Sequence, residues 1–318
     1  MSSTIRHIAF LILFIVGPVG GLVAQQIPNM SSGVFHPFHQ NAGYTGNSDD
    51  CVKITMGFKD QWTIYKRHPA TRFVDIQSSI RNPNKRRTPY FHSAGLSVES
   101  DNVGIFGMTN VRLAYAYHFP VANGYTVGAG TFIGYRDTRY DPTLAIVENP
   151  EDPVFERETY SMEKFGTINP GIWINNEKNF LGLSFFQMLK GDMEAVGIDG
   201  NNQFSRYFIG DVGMTHDLKN ELTVLTSLHA LKTAGIPLYL QWNATFGFKD
   251  VIFLGVGNRT DAYIGLFRLK FLKVFEVAYS YDYPKNEGFI QKKAEVHEVL
   301  LSVKPCWPKK KKLTCPSY

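Results

Sequence analysis

Past about residue 50 the chain settles into one repeated pattern. Blocks of roughly nine to twelve residues alternate apolar and polar side chains, and turn residues separate them. Val111, Leu113, Tyr115, Tyr117 and Phe119 share one parity, with Arg112, Ala114, Ala116 and His118 on the other. Tyr125, Val127, Ala129, Ile133 and Tyr135 alternate with Thr126, Gly128, Gly130 and Gly134. Leu238, Leu240, Trp242, Ala244, Phe246 and Phe248 alternate with Tyr239, Gln241, Asn243, Thr245 and Gly247. Phe275, Val277, Tyr279, Tyr281 and Tyr283 alternate with Glu276, Ala278, Ser280 and Asp282. A period of two belongs to the β-strand, whose successive side chains point to opposite faces. One set mixes aliphatic and aromatic residues, with aromatics near the block ends, as lipid contact and interfacial girdles require. The other set is small or polar, as expected of a lumen.

About fourteen such blocks occur. They lie near 51–59, 72–81, 90–99, 108–119, 124–135, 165–175 and 178–187, then 205–218, 220–232, 236–248, 250–258, 261–270, 273–283 and 294–304. An even number lets the first and last strands pair and leaves no edge in hydrocarbon. The predicted fold is all-β: a transmembrane antiparallel outer-membrane β-barrel over residues 51–304. The connections sort into two classes. Those at 120–123, 176–177, 219, 249 and 271–272 are short, and they are alternate connections. The long ones lie near 60–71, 136–164, 188–204 and 284–293. Outer-membrane barrels turn tightly in the periplasm and carry longer loops outside, which sets both mature termini in the periplasm. The 82–89 connection, with Lys85, Arg86 and Arg87, is long and basic for a periplasmic turn. A soluble β-sandwich or propeller shares the alternation. It does not share the wholly apolar outer face or the two loop classes.

The two ends read differently. Arg6 and His7 precede an apolar run from Ile8 to Val16, which has signal-peptide length and is short for a spanning helix. Cleavage is expected after Ala24, making 1–24 a signal peptide. Residues 25–50 carry turn signals rather than alternation, and either lie in the periplasmic mouth or tuck into the lumen as a plug. Residues 305–318 form a basic periplasmic tail. Lys309 to Lys312 hold much of the formal net charge of +5. They either attract an acidic partner or anionic headgroups, or form a solvated tail. With 33 basic against 28 acidic residues, nothing points to nucleic acid. Cys306 and Cys315 bracket those lysines. In an oxidising periplasm they either form a disulfide or stay as separate thiols, and Cys51 is left over. The 24 Phe, 16 Tyr and 28 Gly of the 318 residues suit strands better than a helical bundle.

No catalytic signature is present: no Gly-x-Ser-x-Gly, no Walker sequence, no His-Glu-x-x-His, no Cys-x-x-Cys. The expectation is therefore no enzyme, cofactor, metal or small-molecule substrate. Gly128-Ala129-Gly130 and Gly255-Val256-Gly257 lie within strands, where glycines relieve crowding or bend the strand. His297 and Glu298 are successive on a strand and face opposite sides, so they form no common site. These residues and His118 read as structural or interfacial. The inward parity gathers Lys53, Lys59, Asp75, Gln77, Arg112, His118, Glu276 and Asp282. Of these, Lys53, Asp75, Arg112, His118, Glu276 and Asp282 form the candidate lumen network. It either rigidifies the interior by pairing or seats a plug or guest segment. Its mixed sign is unlike that of an ion-selective pore. In the 136–164 connection, Arg136, Asp137, Arg139, Asp141, Glu156 and Arg157 make a charged surface suited to a specific protein contact.

Several short motifs carry a family resemblance. Gln25-Gln26-Ile27-Pro28, Phe35-His36-Pro37 and Asn41-Ala42-Gly43-Tyr44-Thr45-Gly46 resemble the opening of PorP/SprF proteins. Those proteins run Gln-Gln-Asp-Pro, Phe-Asn-Pro and Asn-Pro-Ala-Tyr-Ala-Gly. Lys59-Asp60-Gln61-Trp62, Gly95-Leu96-Ser97-Val98 with Asp101-Asn102-Val103-Gly104, Tyr115-Ala116-Tyr117, Tyr279-Ser280-Tyr281-Asp282-Tyr283 and His297-Glu298 are similar to later family motifs, in order. Ala42 stands where the family has proline, and Ile27 where it has aspartate. The resemblance implies an outer-membrane barrel of Bacteroidetes serving type IX secretion, with gliding motility in some members. It implies binding of a secreted cargo protein through its C-terminal domain, or contact with periplasmic components of the system. The rival reading is a passive porin or solute channel. A barrel hydrolase is the third.

Overall fold

The computed structural model describes residues 29–47, 52–80, 90–141, 161–189, 206–233, 236–272, 274–285, 288 and 294–305. The expected signal peptide, the basic tail and all three cysteines lie outside the described residues. So do Glu156 and Arg157.

Fourteen strands form one closed antiparallel barrel, each paired with its neighbours in sequence. The first five are β1 Lys53–Gln61, β2 Ala70–Ile80, β3 Phe91–Val103, β4 Phe106–Pro120 and β5 Thr126–Tyr140. Next come β6 Ser161–Asn175, β7 Asn179–Phe186, β8 Tyr207–Asp217, β9 Leu222–Thr233 and β10 Tyr239–Phe248. The last four are β11 Ile252–Arg259, β12 Ala262–Phe271, β13 Phe275–Pro284 and β14 Val296–Val303. β14 closes on β1, from Ile54 opposite Val303 to Gln61 opposite Val296. Hydrocarbon offers a backbone no hydrogen-bond partner, so this last ladder satisfies the edges that an open sheet would leave bare. Among the described residues no helix is long and apolar enough to cross a membrane, which leaves the strands as the spanning elements.

The alternation sorts as the sequence implies. Leu113 is 64% exposed, Ile133 58%, Phe246 57% and Leu254 58%, and all point outward. A belt of such residues is stable only against lipid. The inner face differs from the expectation of small or polar residues. Phe73, Phe91, Phe132, Trp173, Phe180 and Phe186 are buried inside. Four of them, Phe73, Phe132, Trp173 and Phe180, have an apolar partner in the lumen, as described below.

Two further expectations change. β5 and β6 run on to Tyr140 and back from Ser161, so both ends of the 136–164 connection are ladder. Arg136, Asp137 and Arg139 belong to β5 rather than to a free loop. The apolar pattern stops where lipid stops, but ladder hydrogen bonds need no apolar side chains. Arg136 points inward, where its Nε donates to Asn110 Oδ1 at 2.6 Å. Asp137 and Arg139 pair with each other at 3.4 Å. Asp141 follows β5, its backbone N–H bonded to Ile105 O.

Leu113 lies midway along β4, opposite Leu96 and Ile133. Leu113→Arg should lower the unfolding free energy by about 2–4 kcal/mol, the cost of a cation at the bilayer midplane. Urea unfolding in lipid vesicles reads this. A change within about 0.5 kcal/mol, the range of an ordinary surface site, would mean that the outer face does not meet lipid.

Candidate functional site

The lumen is filled by the chain's own N-terminal segment. Residues 29–47 wind through it in three single turns of 3-10 helix, Gly33–Phe35, Pro37–His39 and Ala42–Tyr44. Pro37 opens the second turn, and the Asn41 side chain caps the third by accepting from Gly43 N at 2.9 Å. Nearly every residue of the segment is buried. It therefore depends on the wall for almost all its partners.

Three groups of contacts hold it. In the first, the fully buried Glu298 of β14 accepts from Ser31 N at 2.9 Å, Ser32 N at 3.0 Å and Ser32 Oγ at 2.8 Å. Ser31 Oγ donates to Asp282 at 2.7 Å and accepts from Arg259, which also pairs with Asp282 at 2.7 Å. Gln241 donates to Ser31 O at 2.9 Å, and Lys59 donates to Asn29 O. A lone buried carboxylate costs several kcal/mol, and hydrogen bonds of this number offset that cost.

The second group is built on histidines. His36 Nε2 meets Asp75 at 2.6 Å, His39 Nδ1 meets the same oxygen at 2.9 Å, and His39 Nε2 meets Glu99 at 2.7 Å. Carboxylates only accept, so both nitrogens of His39 carry protons and the ring is an imidazolium. Burial alone would push His39 down, but Asp75 and Glu99 together hold it up at about 9. Burial dominates at His36 and holds it below its ordinary value despite Asp75, with Lys53 and the charged His39 adding to the depression. Both rings stack on Phe73, at 5.7 and 4.1 Å. Asn110 and Arg112 support Glu99 from behind.

The third group is apolar and steric. Phe38, Ala42 and Tyr44 pack with Ala114, Phe132, Trp173, Phe180 and Leu225. Met30 and Phe35 pack with Phe73, Ile264, Leu266, Ala278 and Leu300. These plug residues are the partner of Phe73, Phe132, Trp173 and Phe180, while Phe91 stacks on His118 and Phe186 on Tyr207. Asn41 Nδ2 reaches the backbone carbonyls of Ile172 and Leu183, and His118 meets Thr45 O at 2.7 Å while stacking on Phe91. The plug backbone lies directly on β5: a Cβ at Gly130 would stand 2.6 Å from Ala42 O, and one at Gly128 would strike Gly43 O. The glycines of Gly128-Ala129-Gly130 thus make room for the segment.

All six candidate lumen residues are buried inside the barrel. Asp75, His118 and Asp282 touch the plug directly. Arg112 acts through Glu99, while Lys53 and Glu276 pair at 3.9 Å with Arg268 beside them at 2.9 Å. Glu99, Arg259, Arg268 and the role of Glu298 escaped the sequence reading, although their strand parity already put them inside. Among the described residues no cluster of His, Cys, Asp and Glu is arranged to hold a metal ion.

The model of the type IX secretion system membrane protein family PorP/SprF matches residues 22–303. The chain belongs to that family. The match covers plug and barrel alike, so the filled lumen lies within the PorP/SprF unit. No curated protein matches the chain. Among solved structures, the toluene transporter TbuX of Ralstonia pickettii is similar over 84% of this chain and 92% of its own, with 10% identity and a TM-score of 0.51. A FadL homologue of Pseudomonas aeruginosa covers 87% and 95%, with 12% identity and a TM-score of 0.46. At these identities the likeness is of fold alone. Family and barrel fold together place this PorP/SprF protein in the outer membrane.

The histidine seat makes plug docking depend on pH. His39 binds its proton more tightly docked, at about 9 against an ordinary 6.5. Its contribution is full below about pH 6.5 and lost as pH rises through 9, on the order of 3 kcal/mol. His36 shifts the other way, so its contribution is lost as pH falls below 6.5 through its depressed value. Hydrogen exchange of the plug amides, corrected for intrinsic rate, should show protection dropping between pH 7 and 9.5. His39→Gln should flatten that dependence. Unchanged protection at both pH values in the native chain would refute the imidazolium.

Proposed function

We propose that this PorP/SprF protein is a closed, plugged barrel that binds and anchors a secreted surface protein through its long loops, rather than a conducting pore. The reading rests on one observation: residues 29–47 fill the lumen and bond directly to its wall. A solute channel needs an open path, and here that path holds packed protein. The cargo would bind through its C-terminal domain, as the family resemblance implies. Periplasmic components of the secretion system would meet the opposite face and the basic tail.

Strand lengths support a partner-facing rim. β4, β5 and β6 have 15 residues each, while β7, β11 and β14 have 8. About ten tilted residues cross the hydrocarbon. The tall strands therefore rise past the membrane. Asp137 and Arg139 stand on that tall wall, and it is here that the charged residues of the expected loop would meet the cargo.

Two measurements test this. Planar-bilayer recording of the intact barrel should give little current, and deletion of residues 25–50 should open it. An open, salt-proportional current from the intact chain favours the porin reading. Affinity purification from native membranes should recover a secreted surface protein, and replacing 141–160 by a Gly-Ser linker should cut that recovery at least tenfold. Full recovery without 141–160 would move the docking site elsewhere.

A further inference from the structure

The plug has a direction. Its contacts can be placed along the barrel axis from the strand register alone. Asn47 bonds Asn175, the last residue of β6, and Gly46 lies against Ser78, Ser79 and Ser93. Thr45 meets His118 near the end of β4. All of these lie at the end where β1 begins and β14 finishes. Asn41 and Ala42 sit further in, against Ile172, Leu183 and Gly130. His36 and His39 reach Asp75 and Glu99, midway up and higher. Ser31 and Ser32 meet Glu298, Asp282, Gln241 and Arg259, all near the other end of their strands. Asn29 is bonded by Lys59, close to where β1 finishes.

The segment therefore crosses the lumen from one mouth to the other. We infer that the plug enters the lumen at the mouth that carries the long connections, opposite the mouth where β14 ends, with Asn29 marking that end. In a barrel whose long connections face outward, that is the cell surface. This differs from the expectation that both mature termini share the periplasmic side. The inference rests on the placement of the plug, not on its role in binding cargo.

The chemistry of the short leader fits this path. Cleavage after Ala24 would leave Gln25-Gln26-Ile27-Pro28 ahead of Asn29, with no charged side chain. Such a leader would carry one charge, its α-amine, past a wall whose carboxylates can pair with it. Both closing strands hold the plug, β1 through Lys59 and β14 through Glu298. The seam is thus formed around a threaded segment.

Thiol labelling of the full chain in intact cells tests this, using a membrane-impermeant maleimide. In a background with Cys51, Cys306 and Cys315 replaced by Ser, single cysteines are placed by Gln26→Cys and by Tyr65→Cys, the latter on the long β1–β2 connection. A third variant keeps only Cys306 beyond β14. Gln26→Cys should label in intact cells to the same degree as Tyr65→Cys, while Cys306 labels only after the outer membrane is permeabilised. Labelling of Gln26→Cys that follows Cys306 would overturn the inference. So would a thiol at 26 that reacts only after denaturation, which would mean that the leader turns back into the lumen. If Tyr65→Cys proves periplasmic and Gln26→Cys follows it, the threading stands and the surface display is overturned. None of these outcomes depends on whether cargo binds.

Discussion

Every feature of this molecule follows from a shortage of hydrogen-bond partners. Hydrocarbon supplies none to the outside of the sheet, so the backbone must satisfy itself by closing β1 on β14. Inside, a packed lumen supplies no bulk water to ionised side chains, so they must find each other or the plug. The two requirements are met by one set of strands because successive residues face opposite ways. The same strand carries Leu113 to lipid and Arg112 to a buried carboxylate.

The division of labour between wall and plug is lopsided in charge. The wall brings the carboxylates: Asp75, Glu99, Asp282 and Glu298. The plug brings donors: two serines with their backbone N–H groups, and two histidines. Aromatic packing from Phe35, Phe38 and Tyr44 adds bulk that is not directional. Apolar burial holds the segment in place, and the polar contacts fix its register. A plug shifted by one residue would leave Glu298 without its serines and Asp75 without its histidines. That would strand buried charge on both sides.

Much of this was legible from the pattern alone, and the reasons differ by element. The strand number and the lipid face were readable because lipid contact imposes a repeat on every strand. The ends of β5 and β6 were not, because above the membrane polar residues alternate with polar residues and parity carries no hydropathy signal. Arg136 therefore looked like a loop residue while it was pointing into the lumen. The inward aromatics were hidden for a related reason. Phe73 and Trp173 face a segment with no periodicity of its own, so nothing in their strands announces an apolar partner. Gly128 and Gly130 came closest to doing so, since two glycines of one parity mark a place where something approaches the wall.

The acid-lined seat also bears on how strongly the plug resists withdrawal. Withdrawing residues 29–47 would expose Glu298, Asp282, Asp75 and Glu99 together, and would strip His39 of the neighbours that keep it charged. Water alone can rehydrate those groups, but only by flooding the whole lumen, which also wets Phe132, Trp173 and Leu300. A donor-rich segment of another chain entering as the plug leaves would avoid that apolar cost. A half-withdrawn plug has the worst of both: charges uncovered at the His39 end while the aromatics still exclude water.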